Sequence, residues 1–200
     1  LAREILSLSP QTELFGIGGE KMRQAGVSTY HDIKELSVVG IFDVVRNINK
    51  IRAVFKDMVA QLDKDKPDLV VLIDYPGFNL RFAREIKKRG ILILYYISPQ
   101  IWAWGKKRIK TIKELVDRMI VFFPFEEKLY KDAGVEVNFI GHPLLDLVKP
   151  SFSKDEFQRK SQLTGKEILI GLLPGSRWQE IEKVLPVMAR ACLILKKRLP

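Results

Sequence analysis

Apolar runs of strand length alternate along this chain with stretches whose apolar residues recur every three or four positions. Leu14 to Ile17 reads as a short strand ending in Gly18-Gly19, and Glu20 to Gln24 as a short helix closed by Gly26. From Ile41 to Leu62 the apolar positions Val44, Val45, Ile48, Ile51, Phe55, Met58, Val59 and Leu62 have the spacing of an amphipathic helix, which Pro67 stops. Leu69 to Ile73 is continuously apolar, as a strand buried in a parallel sheet is. Leu80, Ala83 and Ile86 predict a helix ended by Gly90. Ile91 to Ile97 reads as a strand, Ser98 to Gly105 as a loop, Lys106 to Leu115 as a basic helix, and Met119 to Phe123 as a strand. Pro124 suits the first turn of a helix, which Gly134 closes. Val137 to Ile140 is a further strand, running into Gly141-His142-Pro143.

Residues 149 to 166 change character and read as a linker, with a short helix over Phe157 to Leu163. Ile168 to Leu173 then predicts another buried strand. Pro174-Gly175-Ser176-Arg177 follows, and a last helix runs to the end. Pro186 lies inside that helical pattern and is expected to kink or break it, at a cost of ~3 kcal/mol, unless the structure accommodates it. Repeated β-α units with short loops predict an α/β fold: a parallel sheet with helices on both faces. The expected domains are 1–164 and 165–200, the second represented by its first β-α unit. Leu1 to Leu8 looks like the tail of an amphipathic helix, so the chain is expected to begin after its natural start.

Composition narrows the classes. Of the 200 residues 46% are apolar and 10% aromatic, which excludes a disordered chain. No run approaches the roughly 18–20 apolar residues of a membrane span. A single cysteine, Cys192, forms no internal disulfide and no cysteine metal cluster, and fits a reducing compartment. The two histidines, His31 and His142, are far apart, so no histidine metal site is expected. The net charge of +10 implies attraction to polyanions such as nucleic acid, anionic lipid or phosphorylated substrates, unless it only solvates helix faces. Lys106, Lys107, Arg108, Lys110 and Lys113 form one local cluster.

Four segments carry candidate chemistry. Asp74 follows the Leu69 to Ile73 strand and precedes a Pro-Gly turn, placing one acid at the carboxyl end of a parallel strand, where ligands bind in such sheets. There it serves as a general base or hydroxyl acceptor, its pKa raised by partial burial, or else as a turn-forming Asp bonded to the backbone near Gly77. Ser98-Pro99-Gln100-Ile101-Trp102-Ala103-Trp104 offers two indole faces suited to a sugar ring, or a hydrophobic plug over the sheet edge. In Leu173-Pro174-Gly175-Ser176-Arg177, helix N-terminal N–H groups and a guanidinium suit a diphosphate. Ser176 with Gln179 equally fits ordinary capping. In Phe15-Gly16-Ile17-Gly18-Gly19 with Met22, glycines let the backbone approach a ligand or a neighbouring element. His142, after a strand end, is a hydrogen-bonding candidate or a turn residue.

Together these segments resemble the lipid-A-disaccharide synthases, bacterial glycosyltransferases of the GT-B fold. The resemblance rests on Phe15 to Met22, Glu35 to Ile41, Asp74 to Asn79, Ser98 to Trp104, Pro124-Phe125-Glu126, Gly141 to Leu144 and Leu172 to Arg177, in the family's order along nearly the whole chain. It implies two Rossmann-like domains: an acceptor-binding domain, 1–164, lacking its first strand and loop, and the start of a nucleotide-sugar-binding domain, 165–200. It further implies that UDP-2,3-diacylglucosamine is joined to 2,3-diacylglucosamine 1-phosphate, giving a β-1′,6-linked disaccharide and UDP. The position of Asp74 is that of the family's proposed base, and Arg177 that of its essential arginine. Asn79, Ser98, Trp102, Trp104, His142, Gly175 and Ser176 are expected to contact substrate. Lys106, Lys107 and Arg108 are expected to meet a phosphate or the anionic inner membrane, at whose cytoplasmic face family members work as peripheral proteins.

No cofactor and no metal is expected, since no metal-binding Asp-x-Asp-like pair is evident. Gly77 stands where some relatives have a second acid, which leaves Asp74 as the single acid of its motif. A homo-oligomer is compatible with the sequence. The competing readings are another GT-B sugar-nucleotide enzyme, such as a peptidoglycan glucosaminyltransferase or a UDP-sugar epimerase, and a basic nucleic-acid-binding module. The last lacks any recognised motif and any aromatics interleaved with the basic cluster.

Overall fold

The computed structural model describes residues 1–36, 47–102, 108–164, 168–176 and 178–198. The expectations placed on Ile41, Trp104, Lys106, Lys107 and Arg177 lie outside the described residues. The chain divides into two compact units, Leu1–Leu147 and Val148–Pro200, and the linker-like stretch belongs to the second.

The first unit opens with helix α1 (Ala2–Leu8), strand β1 (Phe15–Gly18) and helix α2 (Glu20–Arg23), followed by β2 (Ser28–Asp32). β1 and β2 pair in parallel. Gly18 ends β1 where the side chains of α2 and β2 come close. A side chain there would meet the Met22 sulfur at 2.8 Å and Thr29 at 3.0 Å, so the glycine admits neighbouring elements. β2 was not evident from the sequence because Ser-Thr-Tyr-His-Asp has no apolar run. It is tied to helix α3 (Ile48–Asp65) by Tyr30 Oη donating to Asp65 at 2.8 Å and by a 2.8 Å contact of His31 Nε2 with Asp57. α3 ends as expected before Pro67. Lys66 caps the helix in the left-handed conformation, with φ 46°, its N–H donating to the Leu62 carbonyl.

The remaining elements are β3 (Leu69–Ile73), α4 (Pro76–Lys88), β4 (Leu92–Tyr96), α5 (Arg108–Leu115), β5 (Arg118–Val121), α6 (Pro124–Asp132), β6 (Val137–Phe139) and α7 (Leu144–Leu147). The strands form one parallel sheet in the order β3-β4-β5-β6, and helices cover both faces of the fold. Leu72, Tyr95, Met119 and Val137 stand in register across the four strands, and all are buried. They carry the core with Ile86, Ile93, Ile112, Val121 and Tyr130. Among the described residues β3 pairs with β4 alone, and Leu69 and Ile73 are exposed, where the sequence predicts full burial. At the opposite end of β4, Asp117 serves both backbone groups of Ile93. Its N–H donates to the Ile93 carbonyl at 3.0 Å, and its carboxylate accepts from the Ile93 N–H at 2.8 Å.

The second unit contains α8 (Lys154–Lys160), opened by a reciprocal cap between Ser153 and Glu156, and α9 (Trp178–Lys196). Two expectations are corrected here. Residues 168–173 pair with no strand, since a parallel strand needs a neighbour and the described part of this unit holds none. α9 continues through Pro186 unbroken. Pro186 leaves the carbonyl of the exposed Glu182 without its helical donor, on the solvent side of the helix.

Candidate active site at the carboxyl edge of the four-stranded sheet

Because β3 to β6 run parallel, their carboxyl ends share one edge of the sheet, and the sequence-predicted residues Asp74, Ser98, Trp102 and His142 all follow those ends. Asp74 and Tyr75 are both left-handed, with φ 46° and 41°. Two successive non-glycine residues in this region store strain of about 1–3 kcal/mol each, which the surroundings must hold. Three side-chain hydrogen bonds do so. Tyr95 Oη donates to the Asp74 carbonyl at 2.7 Å, and Asn79 Nδ2 donates to the same carbonyl at 2.7 Å and to that of Ile73 at 3.0 Å. The Asp74 N–H donates to the Tyr96 carbonyl at 3.3 Å. Pro76 opens α4 immediately afterwards, and the Tyr75 ring stacks on Phe78 at 6.1 Å.

The turn is therefore built by the main chain of Asp74. Its carboxylate accepts no hydrogen bond among the described residues, and Asp74 is exposed, not half-buried as expected. Tyr95 beneath it is fully buried. Burial first, and then the charge of Asp74, pushes the Tyr95 hydroxyl well above its ordinary range, against the opposing pull of Asn79 and Arg108. The hydroxyl thus stays a donor throughout the working pH range. Asp74, Asn79 and Arg108 all act electrostatically on this one hydroxyl.

Ser98 is buried and donates to the buried Glu126 Oε1 at 2.6 Å, while Tyr130 Oη donates to the Pro99 carbonyl at 3.0 Å. Its hydroxyl is thus engaged inside the fold, securing the loop that carries Trp102. Trp102 is 44% exposed and meets Phe125 edge-on at 5.4 Å. Phe125 stacks on Phe123, which lies 5.7 Å from the His142 ring. An aromatic row therefore links the ends of β4, β5 and β6. His142 Nδ1 accepts the Leu144 N–H at 3.2 Å, leaving Nε2 to carry the ring proton. Of the basic cluster, Arg108, Lys110 and Lys113 are described, and all are exposed. Among the described residues, no three His, Cys, Asp or Glu side chains gather closely enough to hold a metal ion.

Gly175 and Ser176 lie in the second unit, ahead of α9. Gly175 has φ +114°, a backbone conformation in which any side chain is strained, and a side chain there would crowd Glu180.

The family model for lipid-A-disaccharide synthetase matches residues 1–200, every position of the chain. The chain belongs to this family. It is 46% identical to the lipid-A-disaccharide synthase of Coxiella burnetii (strain Dugway 5J108-111) over 200 residues, covering 100% of this chain and 53% of that protein. With that of Geobacter sulfurreducens it shares 47% identity over 200 residues, covering 100% of this chain and 52% of the relative. With that of Syntrophus aciditrophicus it shares 46% over 199 residues, again 52% of the relative. The chain thus spans about half the length of the curated relatives it matches.

Within the lipid-A-disaccharide synthetase frame, sequence reasoning overlooked Tyr95, Glu126, Phe123 and Phe125 as parts of the site. Tyr95 is hidden in the apolar run of β4. Glu126 had a signal: a carboxylate, beside Glu127, in the first turn of a helix that follows a buried strand.

Proposed function

We propose that a protein of full family length containing this chain transfers 2,3-diacylglucosamine from UDP to the 6-hydroxyl of 2,3-diacylglucosamine 1-phosphate. Asp74 takes the proton of the attacking hydroxyl. The new bond forms at the anomeric carbon with inversion, the bond to the diphosphate breaks, and UDP departs. Inverting transfer needs both a base at the nucleophile and charge stabilisation at the leaving group. Arg177 and the N-terminus of α9, with Gly175 and Ser176 in the turn, are assigned the second task. The reading is carried by one observation: an exposed carboxylate at the carboxyl edge of a parallel sheet, on a left-handed backbone that its own side chain does not support.

In this reading the acceptor lies along the aromatic row, with Trp102, Trp104 and His142 beside its sugar and Arg108 near its phosphate. Domain 1–164 binds the acceptor, and 165–200 opens the nucleotide-sugar domain. Lys106, Lys107 and Arg108 draw the protein to the anionic cytoplasmic face of the inner membrane, each contributing about 1 kcal/mol near such a surface. No described helix is long and apolar enough to cross a membrane.

The test is an assay of the full-length protein with both diacylated substrates, reading UDP release. Release that needs both substrates and disappears with a deacylated acceptor is the expected result. Release with a deacylated acceptor at the same rate contradicts the proposed substrate and points to another sugar-nucleotide enzyme.

A further inference from the structure

Asp74 and Tyr75 pose a specific problem. A strand ending in a non-glycine residue at φ 46°, followed by another at φ 41°, does not keep that shape unaided. The released alternative is ordinary extended or right-handed backbone, which would turn the Asp74 side chain elsewhere. What holds the shape is a two-sided clamp on one carbonyl. Tyr95 approaches the Asp74 oxygen from the neighbouring strand and Asn79 from the first turn of α4, each at 2.7 Å. Asn79 also holds the preceding carbonyl, of Ile73, at 3.0 Å. The Tyr95 hydroxyl is carried on a fully buried side chain in register with Leu72 and Met119, so its position is fixed by the core.

We propose that Tyr95 and Asn79 are positioning residues that aim the Asp74 carboxylate, and that the Asn79 amide serves this task instead of contacting substrate. The proposal rests on the reading of Asp74 as the base. Its logic is geometric. The clamp touches only the main chain of Asp74, leaving the carboxylate free to meet a hydroxyl. A displacement of the acid by one ångström costs on the order of 100-fold in rate without weakening binding.

The test uses the full-length enzyme with Tyr95→Phe, Asn79→Ala and Asp74→Asn, singly and with Asp74→Asn combined with each of the others. Tyr95→Phe removes one hydroxyl and leaves the ring packing intact. The expected result is a kcat lowered roughly 10- to 100-fold in Tyr95→Phe and Asn79→Ala, with KM changed less than about twofold. Neither substitution should cost anything further once Asp74 is Asn, because residues acting through one group are not additive. An unchanged kcat in both variants, a loss confined to KM, or full additivity with Asp74→Asn overturns the positioning role. An Asp74→Asn enzyme that keeps wild-type turnover overturns the base reading, and this proposal with it. A crippled Asp74→Asn beside unaffected Tyr95→Phe and Asn79→Ala removes the positioning role alone.

Discussion

Ser98 Oγ donates a 2.6 Å hydrogen bond to Glu126 Oε1, and both residues are buried. A serine at the end of β4 is thereby fastened to the first turn of α6, and the loop leading to Trp102 is held between them. Removing the acceptor strands a buried hydroxyl. Glu126→Ala is expected to lower stability by about 1–3 kcal/mol, and Glu126→Gln, which keeps an acceptor, by less. Thermal unfolding of the two variants checks this; equal melting temperatures for Glu126→Ala and the unsubstituted chain would contradict it.

Asp117 predicts a pH dependence. Burial works to raise its pKa, but the Lys87 ammonium at 2.6 Å and the Ile93 N–H outweigh it and hold the carboxyl below its ordinary value. A carboxyl depressed in the folded state stabilises fully above its unfolded pKa of about 4. That contribution is lost as pH falls through the lower folded value. Asp117→Ala leaves the Ile93 N–H unpaired in the core and is expected to cost about 1–3 kcal/mol at neutral pH. Urea unfolding from pH 7 down to pH 3 should show the gap narrowing toward the acid end. A gap that widens in acid would reverse the sign.

The sheet was legible from the sequence because β3 to β6 are short apolar runs separated by helical periodicities, which burial in a parallel sheet enforces. β2 was not, because its five residues make their case through pairing with β1 and side-chain bonds to α3. The reverse error, a strand over Ile168 to Leu173, came from the same rule. An apolar run signals burial, yet a strand also needs a partner. The placement of Asp74 could be read from strand and turn signals alone. Its exposure and its left-handed backbone could not, since both depend on Tyr95 and Asn79 arriving from other elements. The bond of Ser98 to Glu126 was not legible either, because sequence does not show Glu126 lying opposite it.

Gly175 predicts intolerance in the second unit. Its φ of +114° strains any side chain placed there, and a methyl would crowd Glu180. Gly175→Ala is expected to weaken UDP binding by the full-length enzyme at least about tenfold, because strain of 1–3 kcal/mol falls on the turn assigned to the diphosphate. Calorimetric titration with UDP measures it. Unaltered affinity would remove this turn from the nucleotide site.

Charge reversal at Lys106, Lys107 and Arg108 tests the membrane assignment. Binding to vesicles containing anionic lipid should fall, and its dependence on salt should flatten, because each lost cation forfeits about 1 kcal/mol near the surface. Flotation across a salt series reads both quantities. Unchanged binding with an unchanged salt slope would return the cluster to a solvated helix face.

The central claim is that Asp74 is the base. Its most direct test is the steady-state turnover of the full-length enzyme carrying Asp74→Asn, with both diacylated glucosamine substrates saturating and folding verified by circular dichroism. The substitution keeps the side chain's size and removes its basicity. General-base catalysis is worth roughly 100- to 10,000-fold, so kcat should fall by at least about 100-fold while UDP affinity holds. A folded Asp74→Asn enzyme that turns over near the unsubstituted rate would contradict the account.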